Sequence, residues 1–344
     1  MEQKILKLMA VPTAQRDLQW LKNSLQAAIE LELSTLPPYL CAMWSIQAPA
    51  VAPGLAASQL IDSVIQQEMT HMGLVSNLLT AIGGTPQIAQ GYANFISYPG
   101  PLPGGVRPSL TVVLSGLTKP LVHDVFMQIE FPEGGPIKFA ALAAGEVFPT
   151  IGAFYDAIQD AFNQLSPSLS KTNQLTSPAV GVTLIQTPTD VSNAISLIKV
   201  QGEGTDQSPD AGQGTTQLAH YYRFAELYVG KTLVAQPGGG FAFNGAPIPF
   251  PDTFTMAPIP EGGYQNPSPA AKAALSTFDN LFSDLLDKLD AAWSSGNQAA
   301  LTAAVIDMRG LAAAAQPLFS IPLPSPEDGF YGPDFKYMPK NERN

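Results

Sequence analysis

The chain of 344 residues contains one cysteine, Cys41, and only 13% of its residues are charged. A single cysteine excludes an internal disulfide framework and any cysteine-held zinc or iron–sulfur centre. Its place after two prolines and a tyrosine predicts a buried apolar role. The formal net charge is −11, which excludes nucleic acid as a partner because phosphate binding requires a basic surface.

Long apolar runs are also missing from the sequence. No stretch of about eighteen consecutive apolar residues exists, so we expect no membrane span. Residues 1–10 lack the shape of a signal peptide, and a cytoplasmic protein with no membrane partner is therefore expected. Hydrophobic residues still make up 45% of the chain, enough for the core of one large or two medium domains.

Two polar residues, Glu68 and His71, interrupt an apolar helical face in the predicted second helix, residues 58–82. The apolar positions recur in steps of three and four: Ile61, Val64, Val75, Leu78 and Ile82. Glu68 and His71 fall on the same line. A buried carboxylate and imidazole are costly unless they pair with each other or bind a metal ion. Glu-x-x-His presents both groups from one helical turn, and this pair alone leaves both interpretations open.

The predicted first helix, residues 14–47, places Glu32 on another apolar line. Glu30 lies about 200° around the helix from Glu32, so we expect it to be solvated or in a salt bridge. Pro37 and Pro38 remove two backbone donors and should kink or widen the helix there. A carboxylate in an apolar line beside such an irregularity indicates a functional site rather than a plain core.

Two further predicted helices carry candidate ligands. In the third, residues 138–165, Glu146 lies on the line expected to be buried, and the alternative is a partly exposed glutamate at the helix edge. The fourth helix is predicted to break at a polar, glycine-rich stretch, with Glu203 before the break and His220 after it. These two form a second candidate Glu/His pair, unless His220 simply packs with its apolar neighbours.

Other polar and aromatic residues are predicted to play supporting roles. Charged side chains near a bundle end are usually solvated or capping, so we expect at most indirect support for the site from four of them: His123, Asp124, Glu130 and Glu133. Aromatic residues beside a bundle core more often pack than react, and we expect packing from four tyrosines: Tyr39, Tyr155, Tyr221 and Tyr222.

Together these motifs resemble the ferritin-like domain of the iminophenyl-pyruvate dimer synthase family of violacein- and rebeccamycin-type biosynthesis. The resemblance extends over residues 15–232 and rests on four segments: residues 31–40, 68–84, 201–205 and 220–224. Ferritin-like carboxylate proteins use one glutamate from each of two helices and Glu-x-x-His from the other two, and in this family the fourth helix is split. The resemblance therefore implies six metal ligands: Glu32, Glu68, His71, Glu146, Glu203 and His220.

The predicted fold is mainly α, a ferritin-like four-helix bundle with long crossover loops. We predict the bundle over residues 1–232. Residues 233–344 then form a Pro/Gly-rich cover segment and a helical hairpin, residues 269–294 and 297–315, that packs on the bundle or mediates a homodimer. Carboxylate-rich ligation suits one or two iron ions, with manganese as the alternative.

The predicted function is that of a metal-dependent oxidase or oxygenase that acts on a small, amino-acid-derived molecule in specialised metabolism, as the resemblance implies. Two alternatives come from other classes. One is an iron-binding or storage protein, and the other is a metal-free structural bundle in which Glu68 pairs with His71.

Overall fold

A computed structural model of the protein describes residues 4–132, 150–178, 181–203, 208–210, 217–325 and 329–343. Most of these residues are α-helical, which confirms the predicted mainly α bundle. Within the described ranges, sheet structure is limited to two short antiparallel strands, β1 (Val234–Ala235) and β2 (Phe241–Ala242). They lie in the Pro/Gly-rich cover segment, which is otherwise irregular.

The described helices follow one another along the chain as α1 (Lys4–Met9), α2 (Leu18–Trp44), α3 (Gly54–Ala81), α4 (Ile88–Phe95), α5 (Lys119–Leu121), α6 (Met127–Ile129), α7 (Ile151–Leu165), α8 (Pro188–Glu203), α9 (His220–Val229), α10 (Pro269–Ser295) and α11 (Gln298–Ala315). A π-helix, Val122–Phe126, joins α5 to α6. In the bundle α2 packs against α3 and α7, and α3 also contacts α8 and α9. The fourth bundle position is therefore shared by α8 and α9, with a break between them as predicted.

Local sequence determines where several of these helices begin and end. Asp17 and Thr150 precede α2 and α7, and each side chain accepts a hydrogen bond from a backbone N–H three residues further on. Such a cap stabilises a helix by about 1 kcal/mol. Helix α9 ends at Gly230, whose φ of +84° is readily adopted only by a residue without a side chain.

Helix α2 continues through Pro37 and Pro38 without a break in its α-helical assignment. Proline has no N–H to donate to the carbonyl four residues earlier. For Pro38 that carbonyl belongs to Ser34, and the Tyr98 hydroxyl donates to it at 2.6 Å instead. A distant side chain thus replaces the backbone donor that is missing at this turn. The predicted kink or widening at the double proline stays a prediction.

Two other residues singled out in the sequence are buried near this helix. Glu30 is buried and its carboxylate lies 2.9 Å from Lys4 Nζ, so of the two expected environments the salt bridge is the one observed. Cys41 is buried and unpaired, as expected for a small apolar residue.

Helices α10 and α11 pack together as a hairpin, and α10 also packs on α4. The Asp290 carboxylate accepts hydrogen bonds from the backbone N–H groups of Ile88 and Ala89 at 2.5 and 3.2 Å, and so caps α4 from another part of the chain. Trp293 Nε1 donates to Asn77 Oδ1 on α3 at 3.0 Å. The division into two domains at residue 232 stays a prediction. Within the described part of the chain, no helix combines the length and apolarity of a bilayer span.

A buried carboxyl pair fastens the C-terminal segment to α10. Asp279 lies on α10, and its Oδ1 accepts from the Lys336 backbone N–H at 3.1 Å. Burial and the neighbouring Asp334 carboxyl raise the pKa of Asp279 from its ordinary 3.8 to about 9. Burial also raises the pKa of Asp334. Two such groups in one buried site hold a proton at neutral pH because two adjacent negative charges are unfavourable there.

We predict that Asp279→Asn will stabilise the protein at alkaline pH. The raised pKa gives a stability contribution that is complete below about pH 4 and is lost as pH rises through about 9. Asparagine keeps the acceptor for Lys336 and supplies a permanent donor towards Asp334, so it removes this loss. At pH 8 the variant should gain at least about 1.4 kcal/mol, the equivalent of one pKa unit, in denaturant unfolding followed by circular dichroism. Identical pH profiles for the two proteins would contradict the shared proton.

Candidate metal centre

Five titratable side chains converge inside the bundle, each 6% exposed or less: Glu32, Glu68, His71, Glu130 and His220. Glu32 comes from α2, and Glu68 and His71 come from α3. Glu130 follows the end of α6, and His220 is the first residue of α9. Charged groups are seldom buried so completely without a compensating partner. The cluster therefore requires protons or cations to balance it.

The five side chains form two overlapping groups that share Glu68. Glu32, Glu68 and His71 make up one group, and Glu68, Glu130 and His220 make up the other, with the candidate ligand atoms of each group within 4.8 Å of one another. The two imidazole rings stack with their centroids 5.6 Å apart. One carboxylate common to two sites, each with its own histidine, is the pattern expected of a two-cation centre.

Each carboxylate in the cluster is held from outside through one of its two oxygens. Tyr39 donates to Glu130 Oε1 at 2.5 Å, and the Tyr155 hydroxyl donates to Glu32 Oε1. The Thr35 hydroxyl lies 3.2 Å from Glu68 Oε2. In all three cases the other oxygen faces the histidines. Tyr39 and Tyr155, expected only to pack, are therefore part of the polar frame of the site.

The inner carboxylate oxygens lie close to the Nδ1 atoms of the two histidines. His220 Nδ1 is 2.7 Å from Glu68 Oε1 and 3.4 Å from Glu130 Oε2. His71 Nδ1 is 3.5 Å from Glu32 Oε2 and 3.9 Å from Glu68 Oε1. Three carboxylate oxygens and two ring nitrogens thus point towards a common centre.

On the side of each histidine ring that faces away from the carboxylates, one glutamine contacts Nε2. His71 Nε2 lies 2.8 Å from Gln201 Oε1, and His220 Nε2 lies 2.9 Å from Gln67 Oε1. An amide oxygen only accepts hydrogen bonds, so each Nε2 carries the proton. Nδ1 of each ring then faces the carboxylates, with a lone pair in the neutral imidazole or a proton in the imidazolium. An outer hydrogen bond that orients the ring in this way is typical of metal-binding histidines.

Arg223 determines which atom of the Gln67 side chain faces His220. Its Nη2 donates to Gln67 Oε1 at 2.7 Å, and its Nη1 donates to Ser63 Oγ at 2.9 Å. The amide oxygen must therefore be the atom between the guanidinium and the imidazole. Burial lowers the pKa of Arg223 to about 10, and at neutral pH it remains a cation next to the acidic cluster.

One nitrogen in the cluster tests directly whether the residues fit a metal ion. His220 Nδ1 is buried without a hydrogen bond among the described residues, although Glu68 Oε1 is only 2.7 Å away. The contact is short but lacks hydrogen-bond alignment. A buried nitrogen lone pair beside carboxylate oxygens is repulsive unless a cation or proton lies between them. The donor set of oxygens and imidazole nitrogens is compatible with iron or manganese.

The pKa values of two of the clustered carboxyl groups reflect their burial and their closeness to one another. Burial, together with the charges of Glu130 and Glu32, raises the pKa of Glu68 well above its usual range. Burial opposes ionisation of Glu32 as well, but the hydrogen bond and charge of His71 outweigh it and lower the pKa of Glu32. Ionisation is therefore least favourable at Glu68, the residue common to both groups.

A small cavity of about 30 Å³ adjoins the cluster. Its wall contains Glu32, Glu68, His71 and Glu130, together with apolar side chains and Lys199. A water-sized molecule needs roughly 10–15 Å³ measured in this way, so the cavity holds about two. As bounded by the described residues, such a space suits water or a diatomic gas next to the candidate ligands.

The structure brings together four of the six predicted ligands: Glu32, Glu68, His71 and His220. Glu146 lies outside the described residues. Glu203 is the last residue of α8, and its side chain is also outside the described part. Both remain predicted ligands. Glu130 was expected to give indirect support at most, and its position inside the cluster corrects that expectation. In the sequence, the one indication that Glu130 would be buried is that it stands between two apolar residues, Ile129 and Phe131.

The helical bundle and its buried carboxylate–imidazole cluster match the class of helical-bundle proteins whose inward-facing carboxylates and histidines can hold cations. The ferritin-like family profile matches residues 25–229 of this chain. The chain therefore belongs to the ferritin-like family. The matched range includes all five side chains of the cluster.

A solved structure shares this fold over nearly the whole chain. The crystal structure of a ferritin-like protein from Caulobacter vibrioides superposes with a TM-score of 0.64 at 23% sequence identity, and covers 94% of this chain and 99% of that one. At this identity the likeness shows the fold alone. No curated protein matches the sequence.

We predict that Gln201→Leu will weaken binding of ferrous iron about tenfold to a hundredfold, the usual effect of removing an outer hydrogen bond from a metal-binding histidine. Leucine has a similar volume but cannot accept from His71 Nε2, so the ring loses its preferred tautomer. Isothermal titration under anaerobic conditions measures the affinity. Gln66→Leu on the exposed side of α3 is the matched control. Equal affinities for the Gln201 and Gln66 variants would show that the glutamine contact does not orient the ligand.

Proposed function

We propose that this ferritin-like protein is a metal-dependent oxidoreductase that holds one or two iron ions, or manganese, in the cluster shared by α2, α3, α9 and the end of α6. The observation that carries the proposal is the orientation of the inner ligand atoms. Five buried side chains are each held from outside, and each turns a candidate ligand atom towards the same space. Protein interiors rarely assemble acceptors in this way without a cation.

Each of the chain's own residues has a definite role in this proposal. Glu68 bridges the two ligand groups, with Glu32 and His71 on one side and Glu130 and His220 on the other. Tyr39 and Tyr155 hold the outer carboxylate oxygens, and burial together with the neighbouring carboxylates raises the pKa of both phenols well above the usual range. They therefore stay protonated and keep donating. Iron held by such ligands supplies redox chemistry with dioxygen.

The substrate follows from the resemblance to the iminophenyl-pyruvate dimer synthase family. We propose a small, amino-acid-derived molecule in specialised metabolism, bound outside the cavity of about 30 Å³. That cavity admits only molecules about the size of water next to the cations.

The metal-free alternative, in which Glu68 and His71 stabilise each other, has weaker support. Their nearest atoms, Glu68 Oε1 and His71 Nδ1, are 3.9 Å apart, which is too long for a hydrogen bond. His71 instead uses Nε2 to contact Gln201. A purely structural pair would be expected to make its own hydrogen bond.

We predict that the purified chain will take up one or two equivalents of iron after anaerobic ferrous reconstitution, and that the double variant Glu68→Ala, His71→Ala will lose this uptake. Removal of Glu68 takes a ligand from both groups, and removal of His71 takes the nitrogen from one. Metal content is measured by mass spectrometry, with circular dichroism to establish folding.

The matched control is Glu30→Gln, which removes a buried carboxylate two residues from Glu32 that pairs with Lys4 outside the cluster. It should retain full metal uptake. Absence of metal in folded wild-type protein would favour the structural bundle. Metal uptake without oxygen consumption on addition of ferrous iron and a 2-imino acid would sustain the site and refute the oxidase.

A further inference from the structure

A second cavity lies beside α2 and α3, between these helices and the hairpin of α10 and α11. Its volume is about 260 Å³. The wall is almost wholly apolar and includes Trp44, Met69, Met72, Phe282, Trp293 and Met308. None of the five described side chains of the metal cluster borders it. The cavity is therefore separate from the centre described above.

A space of this size and lining suits an organic molecule better than water. Protein interiors pack as densely as organic crystals, and large voids are few. Water requires two to four polar partners, which these walls offer at few points, whereas a dry apolar cavity of about 150 Å³ accepts benzene. Benzene has six non-hydrogen atoms. At the same volume per atom, a cavity of 260 Å³ accommodates roughly ten. The flexible thioethers of the wall adapt to varied ligand shapes.

Two charged residues, Asp62 and Arg309, belong to the wall of the cavity. Arg309 is exposed and Asp62 half-buried, so the charged part of the wall reaches solvent. Asp62 accepts a hydrogen bond from Gln66 Nε2 at 2.6 Å. Arg309 has no ion-pair or hydrogen-bond partner among the described residues. The wall of an otherwise apolar cavity thus carries a solvent-exposed guanidinium available to an anion.

We propose that this cavity binds an amphipathic monocarboxylate of roughly ten non-hydrogen atoms, with its apolar body between the two helix pairs and its carboxylate at Arg309. Guanidinium matches the planar, two-oxygen shape of a carboxylate. The proposal does not depend on the metal centre, and binding should be equal in metal-free and metal-loaded protein.

Octanoate is the test ligand, since it has ten non-hydrogen atoms and one carboxylate. The sequence contains three tryptophans, and Trp44 and Trp293 line the cavity while Trp20 packs near α1. In a full-length Trp20→Phe background, octanoate should change the tryptophan emission saturably with a stoichiometry of one. Octanol, which has the same chain without the charge, should bind more weakly, and octylamine should bind most weakly.

Two variants separate the charged end of the cavity from its apolar body. Arg309→Gln should weaken octanoate about twofold to fivefold, the range for an exposed ion pair, and leave octanol unchanged. Ala304 lines the cavity and is fully buried, so Ala304→Leu should fill it and weaken both ligands at least tenfold. Ala313→Leu on the exposed side of the same helix is the control and should change neither.

Three results would overturn the proposal. The first is no saturable response to octanoate or octanol at millimolar concentration. The second is binding that Ala304→Leu leaves unchanged, which would place the ligand elsewhere. The third is any sign that the carboxylate is not recognised, either tighter binding of octylamine than of octanoate or an equal effect of Arg309→Gln on octanoate and octanol. The Arg309 comparison alters no core residue and decides the question even where Ala304→Leu does not fold.

Discussion

The convergence of five acceptor atoms in one buried space is the constraint on which the rest of this structure depends. Each atom is prevented from turning away, because a hydroxyl or an amide oxygen fixes the other side of its carboxylate or ring. Protons balance part of this negative charge, as the raised pKa of Glu68 indicates. A bound cation would balance it while joining α2, α3, α9 and the end of α6, and would stabilise the folded chain by mass action.

Apolar periodicity explains how much of the site could be predicted from the sequence. Glu32, Glu68 and His71 stand out because each interrupts a regular helical line, and helical geometry alone places them on a buried face. Glu130 offers no such line. It follows an α–π–α segment of eleven residues, Lys119–Ile129, in which neither the 3.6-residue period nor the strand period holds. Its burial arises from the packing of that segment against α9.

Contacts between distant segments account for the other differences between sequence and structure. The double proline in α2 indicates a disturbed helix, but the Tyr98 hydroxyl, sixty-four residues from Ser34, supplies the donor that Pro38 lacks. The roles of the two glutamines that contact the histidine rings also depend on tertiary contacts. Gln67 and Gln201 have no distinctive spacing, and their roles arise only when α3, α8 and α9 come together. Local propensity determines the helices, whereas tertiary packing determines which polar groups they bring into contact.

The segment of α2 at residues 31–40 contributes to two different parts of the structure, so its sequence motif cannot be assigned to metal binding alone. Along residues 31–40, Glu32, Thr35 and Tyr39 face the carboxylate cluster. Leu33, Leu36 and Leu40 line the apolar cavity. Since neighbouring residues of a helix point about 100° apart, one segment serves both sites. A substitution in this motif that alters ligand binding would thus not by itself identify the metal centre as its cause, because both walls are built on the same turns of helix.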